Sequence, residues 1–358
     1  MGTRKDKPGT TVAQDRQRQL ARLLDGGIDD ELAGAAWRLL ENAKRILLLA
    51  HFNPDPDALG SALGLAYVLA PLGKECVVAC ADPVPARFAF LPGRERVVTS
   101  LPDEDFDLVV ALDAGELTRY GALYERHKAF FDGATILNID HHVTSQGCGV
   151  VSIIDPRCAA TAELLTVFLL NRGVAIGREA AVCLLAGIIT DTRSFEYDAT
   201  TAQTLAAGAY LVGCGAVPQD IVKPMYRMKP FPQLRLWGAV LETARRTAEG
   251  RLIWATLRQE FIRAAGATGD MDDGLPSYLL DTDGVAVSVL FREHESGLTR
   301  ASIRTLAPYD AAAMAAHFGG GGHVRAAGCT LRMGPEEAVR QVIPYIESIL
   351  ASANEAEK

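Results

Sequence analysis

The chain has 358 residues, 49% of them hydrophobic and 22% charged, which suits a globular protein large enough for two domains. A formal net charge of -8 argues against a broad basic surface for long double-stranded nucleic acid, so any nucleotide partner should be short or small and gripped locally. Seven scattered cysteines without a CxxC pair suit reduced thiols, and no apolar run reaches the length of a membrane span. The N-terminus, MGTRKDKPGTT, lacks an apolar signal core, so the expected location is the cytoplasm.

Residues 1–28 read as a polar leader, partly disordered. ELAGAAWRLLENAKR then has helical spacing, with Asp29 or Asp30 available as N-cap. The apolar runs RILLLAH, ECVVACAD, DLVVALDA and ATILNIDHH alternate with helical stretches. That alternation predicts βαβ units and an α/β domain over 29–212, built on a doubly wound parallel sheet. Ligands of such sheets collect at the carboxyl ends of the strands. Three of these runs end in potential metal ligands: His51, Asp113, and Asp140-His141-His142. A further helical stretch, REAAVCLLAGIIT, runs into Asp191.

The Gly- and Pro-rich stretch 213–233, GCGAVPQDIVKPMYRMKPFPQ, reads as a linker. Beyond it RLIWATL, GVAVSVLFRE, LTRASIRTL and GCTLRMG have strand character, interleaved with helical AAAMAAHF and PEEAVRQVIPYIESILA. This predicts a smaller C-terminal α+β domain over 234–358, with the active site in the cleft between the domains.

Asp55, Asp57, Asp113 and Asp191 converging in one crevice would place four negative charges together, which is unfavourable unless cations intervene. Two divalent ions neutralise them, and neutral imidazoles complete the shells. Carboxylate-rich sites with a minority of histidine suit Mn²⁺ or Mg²⁺ ahead of structural Zn²⁺. In HFNPDPD the first and fifth residues can share one ion while the seventh reaches a second, and Pro54 and Pro56 stiffen the loop. Taken singly each piece has an ordinary reading: a turn for HxxxDxD, a helix cap for Asp113, a polar helix end for Asp191. Their occurrence in order at strand ends favours metal. Further on, FGGGGHVRAAG carries four successive glycines, whose backbone N–H groups can cradle a phosphate with His323 and Arg325 nearby.

HFNPDPDALGS, the aspartate of ALDAGELTRYG, NIDHHVTS and GIITDTRSF match in order the four motifs of the DHH phosphoesterases, and FGGGGHVRAAG matches the signature of the DHH-associated C-terminal domain. The chain therefore resembles that family from about residue 30 to 350, and within it the oligoribonuclease and 3'-phosphoadenosine 5'-phosphate (pAp) phosphatase branch. The resemblance implies a hydrolase with two divalent ions, Mn²⁺ first and Mg²⁺ or Co²⁺ as substitutes. It makes His51 and Asp55 ligands of one ion and Asp57, His141 and Asp191 ligands of the other, with Asp113 bridging. Asp140 would orient the histidines, and His142 would donate to a phosphate oxygen. Arg304, His323 and the glycines Gly320, Gly321 and Gly322 would hold the nucleotide, with Arg119 a further contact.

The expected substrates are short RNA, linear dinucleotides or pAp, and a homodimer is compatible. The rival readings are an inorganic pyrophosphatase or polyphosphatase of the same superfamily and a catalytically silent nucleotide-binding regulator. Pro56 and Arg193 stand where many relatives have glycine. Thr161 and Glu163 of AATAELL fit the family but read as helix capping and packing.

Overall fold

The structure, a computed structural model, describes Leu24 and residues 27–268, 271–294 and 296–356; most of the expected leader lies outside the described residues. It divides between Met228 and Lys229.

In the first unit β1 (Arg45–Ala50), β2 (Glu75–Cys80), β3 (Leu108–Leu112), β4 (Ile136–Asp140) and β5 (Val151–Ile154) form one sheet in the order β2-β1-β3-β4-β5. Every pairing is parallel. The apolar runs make strands because both faces are covered. Ile46, Leu48, Val110 and Leu112 pack beneath the helices Pro56–Leu69, Thr161–Asn171 and Arg178–Asp191. Their alternates Leu47, Leu49, Val109 and Ala111 pack on the other side with Leu123 and Phe131. The opening helix spans Asp30–Asn42, and Asp29 is its N-cap, accepting from the Leu32 N–H at 2.9 Å. β5 is not among the expected strands: its VSII is mostly β-branched, but it is four residues long and follows β4 through a loop without a helix.

The chain leaves β1 to form β2 on one side and later returns to lay β3 on the other. The switch of direction between β1 and β3 opens a crevice at their carboxyl ends, the usual ligand position in open α/β sheets. Two glycines bring the covering helices close above it. A Cβ on Gly60 would lie 2.3 Å from the Cys183 carbonyl oxygen, and one on Gly187 would lie 2.3 Å from Asp57 Oδ1.

The division at 228/229 falls late in the stretch expected as a linker. Residues 213–228 are packed: Pro218–Val222 is helical, Ile221 is fully buried, and Val222, Met225 and Tyr226 lie against the core of the first unit. The prolines here start short helices and do not mark a free tether.

The second unit has a six-stranded sheet of β6 (Arg245–Thr247), β7 (Leu252–Leu257), β8 (Val287–Glu293), β9 (Thr299–Thr305), β10 (Gly321–His323) and β11 (Ala326–Leu331), ordered β10-β11-β9-β8-β7-β6. Only β7 and β8 run parallel among these pairs. Helices Phe231–Leu241, Gln259–Ala265 and Leu275–Leu280 cover one face, and Ala311–Ala316 and Pro335–Ala356 the other. The glycine run is an edge hairpin and not an open loop, with Gly321 opposite Gly328 and Gly322 opposite Ala327. Among the described residues no single helix is long and apolar enough to cross a membrane.

Candidate metal centre

Four chain segments deliver carboxylate or imidazole to the β1/β3 crevice. His51 follows β1, and its Nδ1 lies 2.8 Å from the Phe52 carbonyl, which turns Nε2 inward. That Nε2 stands 3.6 Å from Asp55 Oδ2 and 3.5 Å from Asp113 Oδ2. Asp55 caps the helix Pro56–Leu69: its Oδ1 accepts from the Asp57 and Ala58 N–H groups at 3.0 and 2.9 Å, leaving Oδ2 for the site. Asp57, fully buried, accepts at Oδ2 from Thr161 N–H (2.7 Å) and at Oδ1 from Ala162 N–H (2.9 Å), the first amides of the helix Thr161–Asn171.

Asp113 sits at φ +59 just past β3, a left-handed conformation uncommon outside glycine and typical of strained functional positions. One of its oxygens faces each half of the site: Oδ2 toward His51, and Oδ1 toward His141 Nε2 at 3.6 Å. His141 follows β4 with Nδ1 3.2 Å from the Cys158 carbonyl. Its Nε2 faces Asp191 Oδ2 at 3.3 Å and Asp57 Oδ2 at 3.9 Å. Asp191 ends the helix Arg178–Asp191. Asp140 Oδ1 accepts from His142 Nδ1 at 2.7 Å and from the His141 amide at 2.8 Å, so it fixes both imidazole-bearing residues from behind.

The donor set fits divalent cations. His51, Asp55 and Asp113 form one group whose ligand atoms lie within 4.8 Å of one another, and Asp57, His141 and Asp191 form another. Both histidines commit Nδ1 to a carbonyl and present Nε2, and the buried His141 Nε2 has no hydrogen-bond partner. The protonation equilibria express the same crowding. Burial opposes charging of His51, yet the facing Asp113 and Asp55 carboxylates raise its pKa to about 10. His141 is raised likewise, by Asp191, Asp57 and Asp113 against its burial. Burial, then the charges of Asp113 and Asp191, push Asp57 well above the carboxylate range, and burial with Asp55 and Asp113 raises Asp191.

Arg119 stands beside this loop: its guanidinium lies 4.9 Å from the centre of the Phe52 ring, and its carbonyl accepts from the Phe52 N–H at 2.9 Å. In the second unit the register puts Arg304, Ala326 and His323 in one row across β9, β11 and β10; the His323 side chain lies outside the described ones. Gly320 and Gly322 are required by packing, since a Cβ would lie 2.3 Å from the Gly328 carbonyl and 2.6 Å from Ala327 Cα, whereas Gly321 faces open space. Thr161 is more than the capping residue expected. Its hydroxyl donates to Asp113 Oδ1 at 2.8 Å while its amide holds Asp57, so one residue spans two motifs about 50 and 100 positions away. The sequence could have flagged it only through its place in AATAELL.

The profile of the DHH family, N-terminal domain, matches residues 45–188, and that of the DHHA1 domain matches 255–352. The chain is 36% identical over 315 residues to the bifunctional oligoribonuclease and PAP phosphatase NrnA of Thermus thermophilus, covering 86% of this chain and 91% of that one. It is 25% identical to the protein of the same name from Bacillus subtilis, covering 80% of this chain and 89% of that one. Among solved structures it resembles an exopolyphosphatase-related protein from Bacteroides fragilis, with a TM-score of 0.84 and 25% identity over 90% of this chain and 98% of that one. With the motif residues gathered at the β1/β3 switch point and these similarities over both units, the chain belongs to the DHH phosphoesterase family.

Proposed function

We propose that the chain is a metal-dependent phosphoesterase that hydrolyses short RNA oligonucleotides and pAp. The observation that carries this reading is the convergence of six carboxylate and imidazole side chains at the β1/β3 crevice, with Asp113 facing both histidines. The likeness to relatives named as oligoribonuclease and PAP phosphatase supports the substrate class. In this reading the site takes two divalent ions, Mn²⁺ first, one held by His51 and Asp55, the other by Asp57, His141 and Asp191, with Asp113 shared. Bound ions supply positive charge to the phosphoryl oxygens and lower the pKa of a water for in-line attack.

The chain's own groups supply the rest. His142 Nδ1 is held by Asp140, so Nε2 is the nitrogen it can offer to a phosphate oxygen. The Asp140 hydrogen bond, outweighing partial burial, raises the His142 pKa and favours the donor form. The Thr161 hydroxyl holds Asp113 Oδ1, the oxygen that faces His141. Arg119 is a substrate contact, and the second unit grips the nucleotide through Arg304, His323 and the Gly320–Gly322 backbone. The acidic overall charge favours substrates of a few nucleotides, because long strands need an extended basic channel.

The test is product release from pAp and from 5'-labelled RNA dimers to decamers, with Mn²⁺ and with EDTA, for wild type and Asp113→Ala. Cleavage of short substrates that needs metal and is lost in the variant is expected. Turnover of pyrophosphate alone would replace this reading with a pyrophosphatase. Nucleotide binding without turnover in Mn²⁺ would replace it with a regulator.

A further inference from the structure

We infer that Glu163 is a positioning residue for one half of the metal centre, the half formed by Asp57, His141 and Asp191, and leaves the His51 half untouched. The inference rests on the metal reading above. Glu163 is fully buried, in the first turn of the helix Thr161–Asn171. Its carboxylate turns back to accept from the Ala159 N–H at 2.9 Å. The Thr204 hydroxyl donates to the same oxygen at 2.9 Å, and the Gln203 amide donates to the other at 3.0 Å. A buried carboxylate is tolerated when its acceptor sites are filled in this way, and a satisfied buried network is rigid.

That network clamps the turn 158–162, and the turn reaches the centre at four points. The Cys158 carbonyl takes His141 Nδ1 at 3.2 Å and thereby sets which nitrogen faces the crevice. The Thr161 and Ala162 amides hold the two Asp57 oxygens, and the Thr161 hydroxyl holds Asp113 Oδ1. All four fall on one side, because Oδ1 is the Asp113 oxygen that faces His141. The supports of the other half are separate. His51 leans on the Phe52 carbonyl, Asp55 on the first amides of its own helix, and the loop between them is pinned by Asn53 N–H to Asp82 Oδ2 at 2.7 Å. The Glu163 carboxylate bonds to Ala159, Gln203 and Thr204 and belongs to neither ligand group, so it acts through the turn.

The experiment is calorimetric Mn²⁺ titration of metal-free full-length protein, wild type against Glu163→Gln and Thr161→Val, with thermal unfolding of each metal-free protein recorded alongside. Glu163→Gln sets an NH₂ group against donors at one of the two positions, and Thr161→Val removes one hydroxyl at nearly constant volume. In both variants one ion is expected to weaken by about 10- to 100-fold, the range for lost supporting contacts, while the other keeps its affinity within about twofold. Equal weakening of both ions, or unchanged affinity for both, overturns the inference. A wild type that binds no Mn²⁺ fails the metal reading itself, which is visible before any variant is compared. Should Glu163→Gln not fold, Gln203→Met decides, since it removes one donor to the Glu163 carboxylate and leaves Glu163 and Thr161 in place, with the same one-sided weakening expected in smaller degree and equal or absent weakening overturning the inference.

Discussion

Gly187→Ala offers a direct test of how the site is held. Gly187 lies on the helix Arg178–Asp191, and the added Cβ would fall 2.3 Å from Asp57 Oδ1, 2.6 Å from Ala162 Cβ and 3.1 Å from Asp57 Cα. Ordinary carbon contacts need about 3.5 Å or more, so something must move by about 1 Å. None of these neighbours is the end of a flexible chain, for Asp57 is clamped by the Thr161 and Ala162 amides and Ala162 belongs to a packed helix. Overpacking of this kind costs about 1–3 kcal/mol, and freeing Asp57 from one charged hydrogen bond adds about 1.5–3 kcal/mol. The better helix propensity of alanine returns about 1 kcal/mol. The net expectation is a loss of about 1.5–5 kcal/mol in denaturant unfolding, with Mn²⁺ affinity reduced because Asp57 is displaced. Gly238→Ala is the control: it sits in the helix Phe231–Leu241 with nothing within 4 Å, and should stabilise by about 0.5–1 kcal/mol. A Gly187→Ala protein as stable as wild type and unchanged in Mn²⁺ binding would refute the close-packing argument.

Metal binding should release protons. The His51 pKa is raised from 6.5 to about 10 in the metal-free site, so its proton stabilises the metal-free fold below about pH 6.5, and that contribution is lost as pH rises through about 10. A cation must displace this proton, so Mn²⁺ affinity should climb between about pH 6 and 9, and calorimetry in buffers of different ionisation enthalpy should show the release; flat affinity would contradict it. Asp140→Asn removes the main cause of the raised His142 pKa. Its alkaline limb of activity should therefore move to lower pH, with kcat down about 100-fold, as a pH–rate profile at saturating Mn²⁺ would report; an unmoved limb would contradict it. In the second unit Gly320→Ala should cost about 1–3 kcal/mol by driving β10 off β11, while Gly321→Ala, which meets nothing within 4 Å, should stay within about 1 kcal/mol of wild type in the same unfolding assay.

The parallel sheet was legible because its strands are continuous apolar runs buried on both faces, a pattern that depends on local composition alone. Five of the candidate ligands were legible for a related reason: His51, Asp55, Asp57, Asp113 and His141 come just after those runs, where open sheets place ligands, whereas Asp191 ends a helix and was legible only through its motif. β5 escaped notice because its mostly β-branched VSII is only four residues long and no helix separates it from β4, so the strand–helix alternation does not announce it. The stretch 213–228 misled because proline signals a break in the chain equally well when it begins a short packed helix as when it begins a tether. Nor does a glycine run disclose which neighbour demands it: Gly320 and Gly322 are glycine because a neighbouring strand occupies the space of a side chain.

What the sequence could not disclose is how the ligands are kept in place. Asp57 and Thr161 are 104 positions apart and Asp113 and Thr161 are 48 apart, so no local pattern announces that one threonine serves both. Gly60 and Gly187 look like weak points in two helices, each costing about 1 kcal/mol against alanine. In the fold they are the positions where those helices touch closely enough to set Asp57 beside His141 and Asp191. The carboxylates alone would repel one another, and the backbone amides of Thr161 and Ala162 offset part of that repulsion by aiming a helix N-terminus at Asp57. The helix reduces the charge the cation must balance, and a neutral Asp57→Asn therefore ought to be tolerated by the fold better than by the metal site, since the side-chain amide can still accept one of those two bonds while the ligand charge is gone.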